Sequence, residues 1–120
     1  MEAELVKTFN FEAAHTLPNC PPGHKCGRLH GHSYQVDIHV TGQVDEKAGW
    51  VVDFGQIKPL VEPVLAELDH HFLNDVPGLA NSTSEHIARY VWDRIKPALP
   101  LLSAVTVWES PTSRCVYRGK

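Results

Sequence analysis

The stretch Cys26–His32 constrains the fold most, because it sets two histidines one residue apart at the start of an alternating segment. Side chains two residues apart in a β-strand point to the same face. His30 and His32 therefore share a face, which apolar residues continue at the even positions Tyr34, Val36, Ile38 and Val40. The pattern predicts a strand that runs to about Gly42.

A third histidine, His15, lies at the end of the segment that precedes this stretch. The run Ala3–His15 alternates in the same way, with Phe9, Phe11, Ala13 and His15 on one face. We expect this first strand to pair antiparallel with the strand after Cys26. Three imidazoles would then lie on one apolar sheet surface.

Three neutral imidazoles suit zinc, and three protein ligands leave one coordination position for water or substrate, as in catalytic sites. Two other interpretations stay open from the residues alone. Each histidine could be a separate structural or exposed residue, or Cys26 could complete a closed, four-ligand structural site. We therefore take zinc, held by His15, His30 and His32, as a hypothesis.

The remaining pattern predicts two helices and then two strands. Ser82–Glu85 has the spacing of a capping box, with Ser82 as the N-cap, and a turn at Ser110–Ser113 predicts a hairpin. The connection Val44–Trp50 is expected to return the chain into Val51–Phe54. The two helices are predicted from apolar residues spaced by three and four, at about Gly55–His70 and from Ser82 to Pro97. The two strands are predicted at Ala104–Glu109 and Arg114–Arg118.

This order predicts an α+β fold, a four-stranded antiparallel sheet with two helices packed on one face. The 120 residues are expected to form one domain, 1–120, which is short for an enzyme that must also enclose a substrate. Open sheet edges favour pairing with further copies into a closed barrel. A pocket between subunits would solve both difficulties.

Composition excludes several classes of partner. The net charge is −3 and no run of Lys or Arg occurs, so a nucleic-acid groove lacks its electrostatic basis. No apolar window is long enough to span a bilayer, and Met1–Leu5 has no leader pattern. The three cysteines lack the spacing of a disulfide framework. We expect a cytoplasmic protein that binds neither nucleic acid nor membrane.

Other residues carry possible chemistry. Cys26 could act as a nucleophile or base if nearby cations favour its thiolate. Asp69 could orient His70 as a proton-transfer group, but only if the helix has already ended, since adjacent helical residues do not face each other. His70 could equally serve a helix C-terminus, and His71 is as good a candidate on these grounds.

Glu109 ends an apolar strand on the face of Val105 and Val107. A carboxylate there needs donors, which the adjacent N–H groups of a heterocycle would supply. A solvated strand end is the alternative. Glu85 has a sufficient structural role in the helix cap.

Taken together, these motifs resemble the 6-pyruvoyl-tetrahydropterin synthase family over essentially the whole chain, and within it the bacterial branch of queuosine biosynthesis. The matching pieces are Phe11–His15, Cys26 with His30 and His32, Val52–Phe54, Leu68–His70, Thr83–Glu85 and Glu109. The interval of four residues between Cys26 and His30 matches that branch. Ser110 departs from a threonine that the family often has after the glutamate.

The resemblance implies a tunnelling fold, in which trimeric barrels stack into a hexamer with active sites at subunit contacts. It implies zinc on His15, His30 and His32, with Cys26 as the catalytic cysteine. It implies Asp69 and His70 as the proton-transfer pair, which is the only ground for choosing His70 over His71. The pterin would be bound by Glu109 and by Thr83, Ser84 and Glu85.

The implied reaction is that of a zinc-dependent lyase. It converts 7,8-dihydroneopterin triphosphate to a 6-carboxy-tetrahydropterin, acetaldehyde and triphosphate. Two alternatives remain: elimination of triphosphate alone to give 6-pyruvoyl-tetrahydropterin, or a non-catalytic zinc-binding module.

Overall fold

The computed structural model describes all residues, Met1–Lys120, and has the predicted element order. Its four strands form one antiparallel sheet in the order β1-β2-β3-β4. The predicted α+β class is confirmed. The elements are β1 (Glu2–His15), β2 (His30–Gln43), α1 (Phe54–Ala66), α2 (Ser84–Ile95), β3 (Leu102–Ser110) and β4 (Ser113–Tyr117).

The register of β1 against β2 is continuous along both strands. It runs without a bulge from Glu2 opposite Gln43 to His15 opposite His30. Because both strands alternate apolar and polar residues, an unbroken register keeps most of the apolar side chains on one face, with Val6 of β1 as an exposed exception. The three histidines therefore fall on the apolar face at one end of the sheet.

The two helices cover that face and bury it. Helix α2 packs against β3 and β4, and α1 packs against α2 and β1. The core between the layers is fully buried and consists mainly of branched aliphatic residues, among them Val36, Ile38, Ile57, Ile87 and Val105. The helix pair thus closes the sheet on the side from which the histidines project.

Helix α1 differs from the prediction at both ends. The carboxylate of Asp53 accepts a hydrogen bond from the amide of Gly55 at 2.9 Å and caps the helix, which begins at Phe54 rather than Gly55. The helix ends at Ala66 rather than near His70. From there the chain turns, and the amide of Asp69 donates to the carbonyl of Leu65 at 2.8 Å.

The predicted cap of α2 is wrong by one residue. Thr83 is the N-cap, and its hydroxyl accepts from the amide of His86 at 3.3 Å. Ser82 lies before the helix and is fully buried, with its polar atoms directed at His15. The capping-box spacing with Glu85 therefore does not describe this terminus.

The opposite face of the sheet has no helix on it and is polar. It nevertheless buries Asp37 and Thr106, which lie within a hydrogen-bonded cluster on β2 and β3. No helix has the length and apolar character needed to cross a bilayer.

Candidate metal centre

The register of β1 and β2 brings His15, His30 and His32 together. One ligand atom from each lies within 4.8 Å of the others, and the three rings meet edge to face. His15 is fully buried, whereas His30 and His32 are partly exposed. The predicted face and convergence of the three side chains are observed, and this group can hold a metal ion.

Hydrogen bonds behind the rings fix which nitrogens face the centre. Nδ1 of His15 lies 2.9 Å from the carbonyl oxygen of Ser82, and Nδ1 of His30 lies 2.7 Å from that of Arg28. A carbonyl oxygen only accepts, so each Nδ1 carries the proton. In the neutral rings both Nε2 atoms then present lone pairs to each other across 2.9 Å. A cation between them satisfies both, which is the donor set that a divalent metal requires.

Burial shapes the electrostatics of this centre. It lowers the pKa of His15, an effect that the hydrogen bond to Ser82 opposes and that the neighbouring His30 and His32 reinforce. A neutral imidazole is the form that binds metals. Tyr34 lies beneath the group, with its hydroxyl 3.5 Å from each ring nitrogen of His15 and its ring edge-on to His32. Its burial raises the pKa of the phenol, so it stays protonated.

Cys26 lies in a short 3₁₀ turn, Lys25–Gly27, in the loop that joins β1 to β2. Its amide donates to Nδ1 of His24 at 3.1 Å, and its carbonyl accepts from the amide of Leu17 at 2.9 Å. The partly exposed thiol is outside the group of clustered ligand atoms. This placement favours a three-ligand centre over a closed site with Cys26 as fourth ligand.

Asp69 and His70 lie against the outer edge of β1. The amide of His70 donates to the carbonyl of Glu12 at 2.6 Å, and the amide of Glu12 donates to the carboxylate of Asp69 at 2.9 Å. The other carboxylate oxygen lies 2.9 Å from Nδ1 of His70. These two contacts, the Glu12 amide first, lower the pKa of Asp69. The ionised carboxylate thus orients the imidazole.

The backbone conformation places the side chains of His70 and His71 in different positions. His70 has φ 58°, and it is the only non-glycine residue with a positive φ. That conformation turns its side chain onto the Asp69 carboxylate, whereas Nδ1 of His71 donates to the Asp69 backbone carbonyl at 2.8 Å. A left-handed residue costs roughly 1 kcal/mol, and such outliers concentrate at functional sites. The geometry therefore favours His70 as the proton-transfer group.

A cavity of about 740 Å³ connects these two groups. His32 and His70 both line it, together with Glu12 and the exposed apolar side chains of Leu29 and Phe72. A pocket with convergent polar groups and an apolar rim has the features of a small-molecule site. In the single chain the cavity is open to solvent, and the side chain of His70 is 78% exposed there.

The remaining predicted site residues lie on the helix side of the sheet. Glu109 is half-buried at the end of β3, where the register against β4 shifts between Trp108 and Ser110. Its charge raises the pKa of both His15 and Tyr34, so the carboxylate acts electrostatically on the three-histidine group, called the metal group below. Thr83, Ser84 and Glu85 form the first turn of α2, and Glu85 acts electrostatically on Cys115 of β4. Thr83 has a capping role in addition to any ligand role.

Three contacts of this site had no signal in the alternation of the sequence. They are the bond of Ser82 to His15, the cap that His24 gives Cys26, and the edge pairing of Glu12 with Asp69 and His70. Each joins residues through backbone atoms, which any sequence possesses. Only the unusual density of histidines pointed to this part of the chain.

Fold and site together define an α+β protein with a group of three histidines that can hold a metal ion at the end of an antiparallel sheet. The family model described as 6-pyruvoyl tetrahydropterin synthase matches residues 4–120. The chain therefore belongs to the 6-pyruvoyl tetrahydropterin synthase family.

Curated relatives and solved structures agree with this assignment. A 6-carboxy-5,6,7,8-tetrahydropterin synthase from Synechocystis sp. is 39% identical, with 94% of this chain and 91% of the relative covered. One from Bacillus subtilis is 36% identical, with 98% and 86% covered. The structure of the Caenorhabditis elegans 6-pyruvoyl tetrahydropterin synthase superposes with a TM-score of 0.90 at 27% identity, covering 100% of this chain and 97% of that one. The subunit topology of the tunnelling fold is thereby confirmed.

Proposed function

We propose that this chain is a zinc-dependent lyase that converts 7,8-dihydroneopterin triphosphate and water to 6-carboxy-5,6,7,8-tetrahydropterin, acetaldehyde and triphosphate, in queuosine biosynthesis. The observation that carries the proposal is the convergence of His15, His30 and His32 beside a cavity that also contains His70. The two curated relatives named for this product support the choice of reaction. Three free cysteines suit the reducing cytoplasm as its location.

The metal ligands would be His15, His30 and His32, each through a neutral imidazole. Zinc in such a site supplies Lewis acidity, which polarises oxygen atoms of a bound substrate. The ring of Tyr34 packs edge to face against the buried ligand His15. The chain thus presents a rigid set of donors on strands rather than on a mobile loop.

Proton transfers would be shared between two groups. Cys26, as thiolate, would remove a proton from the carbon next to the nascent carbonyl of the substrate side chain. His70, oriented by Asp69 at 2.9 Å, would deliver or accept the second proton. General acid–base groups of this kind contribute about 10²–10⁴-fold to a rate.

Glu109 would bind the pterin ring by accepting hydrogen bonds from its amino group and ring N–H. A carboxylate that is half-buried beside the metal group fits this role, since a planar N–H pair matches two carboxylate oxygens. Thr83, Ser84 and Glu85 would line the same pocket from the start of α2. The ring would then be held with its side chain directed at the metal.

The assembly would be a hexamer of two stacked trimers, with the active site at subunit contacts. The outer edges of β1 and β4 are the two edges of the sheet, and β1 is covered only toward its end, where Glu12 bonds to Asp69 and His70 and Ala14 pairs with Phe72. Leu29 is 69% exposed and Phe72 37% exposed beside the cavity. Burying them against a second copy would enclose His70. Light scattering on a sizing column tests the subunit number.

A second function is elimination of triphosphate alone, giving 6-pyruvoyl-tetrahydropterin, which the name of the structural neighbour from C. elegans favours. Mass analysis of the products formed from 7,8-dihydroneopterin triphosphate separates the two reactions. Acetaldehyde in equimolar amount with the pterin product supports the carboxy-forming lyase. A pyruvoyl product without acetaldehyde contradicts it.

A non-catalytic zinc module is tested by Cys26→Ala. An enzyme with three protein ligands keeps stoichiometric zinc in this variant and loses turnover. A closed four-ligand site loses zinc affinity and stability, because structural zinc contributes directly to folding.

A further inference from the structure

Ser82 is the one fully buried polar residue near the metal group to which the proposed function gives no role. Its carbonyl oxygen lies 2.9 Å from Nδ1 of His15, and its hydroxyl oxygen lies 3.1 Å from the same nitrogen. The N–H of His15 faces both oxygens, so Ser82 accepts this hydrogen bond with its backbone carbonyl and with its hydroxyl oxygen.

Contacts other than the bond to His15 also fix the segment around Ser82. The side-chain amide of Asn74 donates to the carbonyls of Thr16 and Ala80, at 2.8 and 3.0 Å, and so joins the residue after His15 to the segment before Ser82. On the other side, Nδ1 of His86 donates to the carbonyl of Asn81 at 2.6 Å. Ser82 is therefore held in place from both neighbouring segments.

We propose that Ser82 is a positioning residue for the metal ligand His15, setting its tautomer and ring orientation through two oxygen acceptors and thereby raising the affinity of the centre for a divalent cation. The proposal deepens the proposed zinc site and rests on it. Partners behind a ligating imidazole fix the ring and increase the electron density at the ligating nitrogen. A carbonyl together with a hydroxyl does this without a buried charge.

The two acceptors make different contributions. The carbonyl remains in every variant at position 82, so the tautomer of His15 is retained when the side chain is changed. The hydroxyl is lost in Ser82→Ala, and with it the second acceptor. Removing an outer partner of a metal ligand typically weakens metal binding about 10- to 100-fold. Because the carbonyl stays, we expect the lower end, about 10-fold.

The experiment compares the wild type, Ser82→Ala, Ser82→Thr and a control, Ser103→Ala. Ser103 lies in β3, and its hydroxyl accepts from Thr41 at 2.8 Å, away from the metal group. Zinc dissociation constants are measured by competition with a chromogenic chelator. Ser82→Ala is expected to bind zinc about 10-fold more weakly, Ser82→Thr to restore much of the affinity, and Ser103→Ala to match the wild type. Equal affinities in the wild type and Ser82→Ala would overturn the proposal.

A second measurement uses the metal-free wild type and therefore does not depend on whether a variant folds. Nitrogen-15 NMR of the imidazoles reports which ring nitrogen of His15 carries the proton, and the exchange rate of that proton with water reports its hydrogen bonding. We expect the proton on Nδ1, with slow exchange that becomes faster in Ser82→Ala. A proton on Nε2 of His15 contradicts the proposal.

The two measurements separate this proposal from the proposed function. A wild type that shows the Nδ1 proton of His15 but binds no zinc removes the zinc-dependent lyase and leaves Ser82 as the partner that orients His15. A wild type that binds zinc tightly, with no change in Ser82→Ala, keeps the metal site and removes the role of Ser82.

Discussion

Both faces of the sheet bury a polar cluster, and the two clusters differ in how completely the chain satisfies them. On the open face, the carboxylate of Asp37 accepts from Thr8 and Trp108 at 2.8 Å and from Gln35 at 3.2 Å. Each ring nitrogen of His39, on the same face, has its own partner, Glu4 or Thr106.

On the helix side, the short hydrogen bonds of His15 and His30 to other residues lie behind their rings, the hydroxyl of Tyr34 is 3.5 Å from Nε2 of His15, and the two Nε2 atoms face each other at 2.9 Å. Histidine therefore belongs to a complete hydrogen-bond network on the open face and to an incomplete one on the helix side. An incomplete buried polar group is costly unless a ligand completes it. This difference separates a structural histidine from one that can bind a cation.

The sharpest test of this comparison replaces one histidine in each cluster. His30→Ala should lose stoichiometric zinc, with affinity falling about 100-fold or more, and with it the lyase activity, because two ligands remain. His39→Ala should retain the zinc content of the wild type. Metal analysis after dialysis measures both variants. Equal loss of zinc in the two proteins would break the comparison.

A second test concerns the two adjacent histidines beside the cavity. His70→Ala should reduce turnover by about 10²–10⁴-fold, the usual contribution of a general acid or base. His71→Ala, which loses only a hydrogen bond to a backbone carbonyl, should stay within about 10-fold of the wild type. Steady-state kinetics on zinc-loaded protein decides, and the reverse order would assign the role to His71.

The closed cluster should affect stability rather than chemistry. Asp37→Ala leaves three donors without their shared acceptor, so we expect a loss of about 3 kcal/mol in unfolding free energy, in line with hydrogen bonds to a charged group. Zinc content should not change. Urea unfolding monitored by tryptophan fluorescence measures the loss. A variant that is fully stable but depleted of zinc would show that the two faces are coupled.

The smallest effect is a pH dependence at Asp69. The amide of Glu12 and the ring of His70 lower the pKa of this carboxyl, so its ionised form is favoured in the folded chain. The unfolded chain then binds more protons in the acid range, and the stabilisation is complete above the ordinary carboxyl pKa of about 4 and is lost as the pH falls through the lowered value.

Unfolding free energies of the wild type and Asp69→Asn, measured from neutral to acid pH, test this dependence. The difference between the two proteins should be constant near neutral pH and shrink below about pH 4. A difference that is the same at every pH would show that the charge of Asp69 contributes nothing.

Much of the arrangement could be predicted because it follows from alternation. The face of His15, His30 and His32 depends only on strand period and antiparallel pairing, and both were readable from apolar residues along β1 and β2. The sequence also indicated that Asp69 can reach His70 only if the helix ends before these two residues. The actual end at Ala66 was not, because the apolar spacing continues to Leu68, which is buried beyond the helix.

The cap of α2 shows why other contacts escaped prediction. Ser82, Thr83 and Ser84 are all acceptable N-caps by residue type. The choice of Thr83 depends on Ser82 being drawn to His15, a residue 67 positions away. Local rules rank such neighbours almost equally, so a long-range hydrogen bond decides between them. The same holds for Glu12, whose backbone meets Asp69 only through the fold.

His15 and His30 are direct cross-strand partners, so the two strands alone determine their separation. The loop between them, 16–29, can therefore gain or lose residues away from Arg28, whose carbonyl binds His30, without disturbing the three histidines. Cys26 belongs to that loop and would move with it. Evolution and protein engineering can thus vary the placement of a reactive thiol while the metal coordination remains unchanged, which gives one scaffold a simple route to new reaction outcomes.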